Sequence, residues 1–178
     1  MQIRPATSAD LPAVDRVHRT AFGDEGGVVA GLLPELTAAA SVSLVAEDAD
    51  AVVGHVLCSP GWLDAPRRLV VVQVLSPLAV LPGHQRRGTG AALVAAALAQ
   101  AGDQGAPAVF LEGDPGYYGR LGFRAAGDLG FRRPSLRIPE AAFQVVLLPA
   151  HEPWMTGTLV YPDVFWRHDA VGLRDPDA

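Results

Sequence analysis

Leu78-Ala-Val-Leu-Pro-Gly-His-Gln-Arg-Arg-Gly-Thr-Gly90 is the stretch on which the reading of this chain turns. Before it, a β-branched run from Leu69 to Leu75 resumes at Leu78, Ala79 and Val80 and predicts a strand, with Ser76-Pro77 removing a ladder donor and suggesting a bulge. After it, an Ala/Leu segment from about Thr89 to Ala101 predicts a helix that packs through Leu93, Val94, Ala97, Leu98 and Ala101 and stops at Gly102. A strand therefore delivers a glycine-punctuated, arginine-bearing loop to a helix N-terminus. The first amides of a helix lack intrahelical partners and the dipole is positive there, so the arrangement favours a phosphate group. Gly88 and Gly90 let the backbone approach such a ligand closely. Glycines in an α/β turn are more often plain turn residues, and it is Arg86, Arg87 and the flanking elements that raise the phosphate reading above that. A P-loop is excluded, because Gly-Lys-Ser and Gly-Lys-Thr are absent and the chain has no lysine. A dinucleotide fingerprint fits poorly, since several residues separate strand from glycines and Leu93 stands where a third Gly or Ala belongs.

Working outward, Ala108 to Leu111 predicts a short buried strand, and Asp114-Pro115 a cap and first-turn proline that open a short helix through Leu121. Strand, helix and strand in that order make adjacent parallel strands joined by a right-handed crossover the expected connection. Towards the N-terminus, Met1 to Arg4 reads as a strand. Thr7 or Asp10 caps a helix carrying Leu11, Val14, Val17 or His18, and Ala21 on one face. Gly23, Gly26 and Gly27 interrupt it before a second amphipathic stretch at Leu32, Leu33 and Leu36. Val42, Leu44 and Ala46 then alternate, Asp48 to Asp50 turns, and Val52 to Leu57 returns as a hairpin. Phe143 to Leu148 is a late strand, and the tail after Pro149 has few periodic signals.

The chain has 178 residues, 49% hydrophobic and 19% charged, with a net charge of −5. That length and balance predict one soluble domain over 1–178 with a sizeable core. The negative charge argues against holding nucleic acid. All fourteen basic residues are arginine, which excludes a lysine Schiff base. Cys58 is the sole cysteine, so neither an intrachain disulfide nor a cysteine zinc site is expected, and between Val56-Leu57 and Ser59 it reads as a small buried hydrophobe. No apolar stretch reaches membrane-spanning length, so no membrane partner and a cytoplasmic location are expected.

Gln85-Arg-Arg-Gly88-Thr-Gly90 resembles the Gln/Arg-x-x-Gly-x-Gly/Ala motif of the GCN5-related N-acetyltransferases (GNAT), in which it binds the pyrophosphate of acetyl-CoA. Downstream, Tyr117-Tyr118-Gly-Arg-Leu-Gly-Phe123 resembles the family's aromatic-Tyr-x-Arg-x-Gly-Phe segment. The string from Val42 to Phe123, with Val53-Gly54 and Ser59-Pro60, looks most like an uncharacterised bacterial branch with a Gly-Asp-Pro-x-Tyr-Tyr signature; the likeness extends faintly to Tyr161-Pro162. The resemblance implies an α/β (α+β) fold: a mixed, mostly antiparallel sheet with a splayed parallel strand pair, flanked by helices. It implies a CoA-binding core at about 69–123 and acceptor-shaping segments at about 10–40 and 132–166, and an N-acetyltransferase that moves an acetyl group from acetyl-CoA to an amine, with no metal. Cofactor contacts would come from Leu78, Ala79, Val80, Gln85, Arg86, Arg87, Gly88, Thr89, Gly90, Ala91 and Tyr118.

Thioester aminolysis needs a neutral amine, a donor to the oxyanion and a proton for the departing thiolate. Backbone amides around Ser76-Pro77-Leu78 are the expected oxyanion donor. By the resemblance, Tyr118 protonates the thiolate, a task suited to a phenol whose ordinary pKa of about 10 keeps it protonated at neutral pH. Tyr117 reads as packing. For the base, Glu112, His55 and Glu25 are candidates, and Glu112 at a strand end is the best placed. His55 reads as a satisfied strand residue, His84 as a loop residue near phosphate, and a water chain often serves the family as base. Trp154, Tyr161, Phe165 and Trp166 suit an aromatic pocket or a dimer surface, so monomer and homodimer both stay open, as does the identity of the amine. Two other readings stand beside the enzyme: a catalytically silent acyl-CoA sensor, and a flavin or nicotinamide oxidoreductase.

Overall fold

The computed structural model describes residues 1–174. The chain divides into two compact units, Met1–Ser59 with Leu75–Gln104, and Pro60–Val74 with the chain from Gly105 onward. Two long strands, β3 (Ala51–Asp64) and β4 (Leu69–Val80), run through both.

In the first unit β1 (Gln2–Pro5) pairs antiparallel with β2 (Val42–Asp48), and β2 with the first half of β3. Ala49 and Asp50 make the hairpin turn, both at positive φ (48° and 62°), as a two-residue loop between right-twisting strands requires. Strand parity then assigns the faces. Val45 lies across from His55, and that face meets α1 (Leu11–Phe22) through Val14, Val17 and His18. Gly54 points the opposite way, where a Cβ would come within 3.0 Å of Leu93 on α3 (Thr89–Asp103). Helix α2 (Gly26–Ala39) adds Leu32, Leu33 and Leu36 to the core, while Leu11, expected on the apolar face of α1, is exposed.

Two local expectations are corrected. Gly102 lies inside α3, which continues to Asp103, and the left-handed residue after the helix is Gly105 (φ +80°). Strand β4 runs from Leu69 to Val80 through Ser76-Pro77, whose peptide bond is cis. The return strand of the hairpin extends to Asp64, past the predicted end at Leu57.

In the second unit β5 (Ala108–Glu112) takes β4 as a parallel neighbour at Gln73 with Val109 and Val74 with Phe110, and β8 (Phe143–Leu147) as an antiparallel one over five pairs. The parallel ladder is confined to those two pairs, and β4 continues from Leu75 to Val80 beyond it. Between β5 and β8 come α4 (Pro115–Tyr118), β6 (Arg124–Ala125), which pairs with β8, and β7 (Phe131–Arg132). The region after Pro149, which carried few signals, supplies β9 (Gly157–Val160), antiparallel to β3 and parallel to β7, and α5 (Asp163–Arg167). Phe110 anchors this core, edge-to-face with Phe131 at 5.0 Å and stacked with Phe143 at 5.7 Å. The architecture is the expected one, a mixed, mostly antiparallel sheet with the parallel pair β4–β5 and flanking helices. No helix among the described residues is long and apolar enough to cross a membrane.

Candidate active site

The loop after β4 is built from the inside by its own polar side chains. The Gln85 amide donates to the Val80 carbonyl at 2.9 Å, tying the loop to the strand end, and the buried Thr89 hydroxyl donates to the His84 carbonyl at 3.2 Å. Arg86 sits at φ +58° and Gly88 at φ +86°, so the chain turns through two left-handed residues before entering α3. Gly88 is the N-cap of α3; its carbonyl accepts from Ala92 N–H at 2.9 Å, which leaves the amides of Thr89, Gly90 and Ala91 without intrahelical partners. No acidic residue lies in that first turn, and Gln85, Arg86, Arg87 and Gly88 are exposed. The result is a cationic rim around outward amides, fit for an anion. His84, predicted near phosphate, has Nδ1 3.7 Å from Asp48. On β4, Ala79 and Val80 are buried and Leu78 half-buried.

In the second unit the Gly-Asp-Pro-x-Tyr-Tyr segment explains itself residue by residue. The Asp114 carboxylate accepts from Gly116 N–H at 2.8 Å and caps α4, and Pro115 occupies the first turn, where no N–H is missed. That turn presents Tyr118 to Gly113: a Cβ on Gly113 would lie 2.7 Å from ring atom Cδ2. Tyr117 and Phe123 pack edge-on to the Tyr118 ring at 4.9 and 5.7 Å. Burial pushes its phenol up to about 12, with Tyr117 adding to the shift. Among the described residues the Tyr118 hydroxyl makes no hydrogen bond.

Glu112 is the last residue of β5. Its carboxylate accepts from Gly172 N–H at 3.1 Å and from the buried Tyr161 hydroxyl, and burial raises its pKa in spite of both bonds. His55 is satisfied as expected: it bonds His18 Nε2 at 2.9 Å and Ser43 Oγ at 3.0 Å inside the first unit. The Glu25 side chain lies outside the described ones. Cys58 is buried, its thiol pushed up to about 12, and so is no thiolate nucleophile. Among the described residues no cluster of His, Cys, Asp or Glu is placed to hold a metal ion.

Two contributors escaped the sequence reading. Gln144, buried on β8, donates to the Gly113 carbonyl at 3.0 Å, and the Gly113 N–H reaches the Ala142 carbonyl at 3.0 Å, so β8 fixes the glycine beneath Tyr118. A single glutamine in the apolar run Phe143 to Leu148 was the available signal.

The first unit thus carries a glycine-bearing loop that opens onto the N-terminus of α3, and the second carries the buried phenol of Tyr118. The family model for the acetyltransferase (GNAT) domain matches residues 2–126, and the chain belongs to that family. It is 33% identical over 159 residues to YjhQ of Escherichia coli (strain K12), an uncharacterized N-acetyltransferase, with 84% of this chain and 85% of that one covered. Its fold is similar to that of the GNAT family N-acetyltransferase YhbS from Escherichia coli in complex with CoA (TM-score 0.83, 30% identity, 93% and 92% of the two chains). It is also similar to a GNAT family acetyltransferase from Brucella melitensis in complex with acetyl-CoA (TM-score 0.73, 29% identity, 92% and 97%).

Proposed function

We propose that this protein transfers the acetyl group of acetyl-CoA to a primary amine, with the whole chain forming one acetyltransferase domain. The observation that carries the reading is the loop Gln85 to Gly90, held by Gln85 on Val80 and opening onto the unpartnered amides of α3. Support comes from the two similar structures, which hold CoA and acetyl-CoA.

In this account the amides of Gly88, Thr89, Gly90 and Ala91 take the pyrophosphate oxygens, and Arg86 and Arg87 add longer-range attraction. The pantetheine follows Leu78 to Val80. A neutral amine attacks the thioester carbon and forms a C–N bond, and backbone amide donors near Leu78 stabilise the oxyanion. The adduct collapses by breaking the C–S bond, and Tyr118 gives its proton to the sulfur. With its pKa pushed up to about 12, the phenol carries that proton throughout the neutral range. Glu112, made more basic by burial, accepts the amine's proton through water. An amine-dependent thiol-release assay tests the reading: CoA should appear in step with acetylated amine. A protein that binds acetyl-CoA and releases no thiol with any of a panel of amines, amino acids, peptides and aminoglycosides would support the silent-sensor alternative.

A further inference from the structure

A pocket of about 790 Å³ lies entirely within the second unit, walled on its apolar side by Phe131, Phe143 and Leu136 and carrying Arg132 and Arg133. Phe131 and Phe143 both pack on Phe110 and are held in place by it, while Leu136 is exposed at the pocket's edge. Each guanidinium group is held by another residue that lines the pocket. Arg132 donates through Nε to Thr158 Oγ1 at 2.9 Å, and Arg133 through Nη1 to Glu140 at 2.8 Å. Arg133 Nε, however, is buried with no hydrogen-bond partner. A guanidinium cannot shed that proton, and leaving a buried donor unmet is costly, so this one calls for an acceptor the chain does not provide. A carboxylate matches the planar fork of arginine.

The position of the pocket says what that carboxylate belongs to. Phe143 is the cross-strand partner of Glu112, and Ala141 and Phe143, both lining the pocket, flank Ala142, whose carbonyl accepts from Gly113 N–H. The wall of the pocket and the residues that hold Gly113 against the Tyr118 ring are therefore immediate neighbours along the chain entering β8. We propose that this pocket is the acceptor site of the transferase described above, and that its acceptor is a small amine bearing a carboxylate and an apolar side chain, such as a hydrophobic amino acid or short peptide. The carboxylate lies on Arg133 and Arg132, and the side chain against Phe131, Phe143 and Leu136. Glu140 is already committed to Arg133, which leaves exposed Asp128 as the one other lining carboxylate, poor provision for a polycation such as an aminoglycoside.

The test compares acetyl-CoA-dependent thiol release with L-leucine, L-phenylalanine and glycyl-L-phenylalanine, each beside its carboxamide, with rates computed on the free-amine fraction. The carboxylate form should be favoured about tenfold or more in kcat/KM, mainly through KM, because a site built for a polar group rejects the analogue lacking it. Arg133→Gln should reduce that preference to within about threefold, and Arg133→Lys should retain part of it. Arg132→Gln should shift it in the same direction, which serves if Arg133→Gln does not fold. Equal use of carboxamides by the wild type, or a preference that survives Arg133→Gln and Arg132→Gln, overturns the proposal. Should no amine of either kind release thiol, acetyl transfer itself has failed. Calorimetric titration of glycyl-L-phenylalanine then decides the pocket: affinity lost in Arg133→Gln supports it, and no binding or unchanged affinity overturns it.

Discussion

The ring of Tyr118 lies where a side chain on residue 113 would begin: a Cβ on Gly113 would come within 2.7 Å of Cδ2. The glycine is thus required by the tyrosine and not by its own backbone. Gly113→Ala should displace the ring while leaving the loop at Gly88 untouched. We expect kcat to fall at least tenfold with unchanged affinity for CoA, since the change moves the phenol that in the proposed mechanism acts in the transition state. Steady-state rates beside a CoA titration check this, and a Gly113→Ala enzyme with wild-type kcat would show that the position of the ring is unimportant.

Cofactor binding should depend on the other motif. At Gly88 there is open space around a Cβ but a φ of +86°, so Gly88→Asp places a carboxylate at the anion site at the cost of about 1–2 kcal/mol of backbone strain. Gly88→Asp and Arg87→Glu should each abolish thermal stabilisation by CoA and keep the fold. Arg86→Ala and Arg87→Ala should matter less, because in the proposed binding mode amides make most of the contacts. Normal CoA binding by the two acidic variants would place the site elsewhere.

Glu112 is held by Tyr161 and Gly172, so Glu112→Gln separates two roles. If Glu112 takes the amine's proton, the variant should lower kcat/KM and lose the acidic limb that reports it, a limb lying above the ordinary carboxylate range because burial raises the pKa. A lowered melting temperature with an unchanged pH profile would make Glu112 an anchor for the C-terminal segment and leave the proton to water.

Acid should destabilise the first unit well before carboxylates protonate. Burial lowers His18 to about 3 and His55 to about 4, against about 6.5 for a free imidazole. Below pH 6.5 the unfolded chain takes up protons that the folded chain refuses, so stability is full above pH 6.5 and is lost as pH falls towards 4. The slope is up to about 1.4 kcal/mol per pH unit for each ring. Asp10, held far below its usual range by Arg4, adds its own loss only below about pH 4. Melting temperatures between pH 7 and pH 4.5 should fall steeply, and in His18→Leu about half as steeply; a flat profile would contradict the buried neutral pair.

Much of this was legible beforehand where side-chain pattern and backbone geometry coincide. The turn from Gln85 to Gly90 into α3 was legible because glycines between a strand and an Ala/Leu helix mark a helix start, and Asp114-Pro115 because a cap and a first-turn proline are local signals. Gly102 misled because a glycine inside a helix looks like one after it, and Gly105 three residues on has the positive φ. Strand β9 was invisible because its order comes from pairing with distant β3 and β7, and α5, five residues long, is too short to show a helical period. The role of Arg133 depends on one buried nitrogen, which no spacing reveals.

The central claim is tested most directly by kcat for amine-dependent CoA release from Tyr118→Phe, measured beside Tyr117→Phe. Deleting the Tyr118 hydroxyl should lower kcat and kcat/KM together by about 10²- to 10⁴-fold, the contribution of one general acid, with CoA affinity scarcely changed and Tyr117→Phe near wild type. Full turnover in Tyr118→Phe would contradict the account. If Tyr117→Phe lost turnover in its place, the acid would be one residue earlier than assigned.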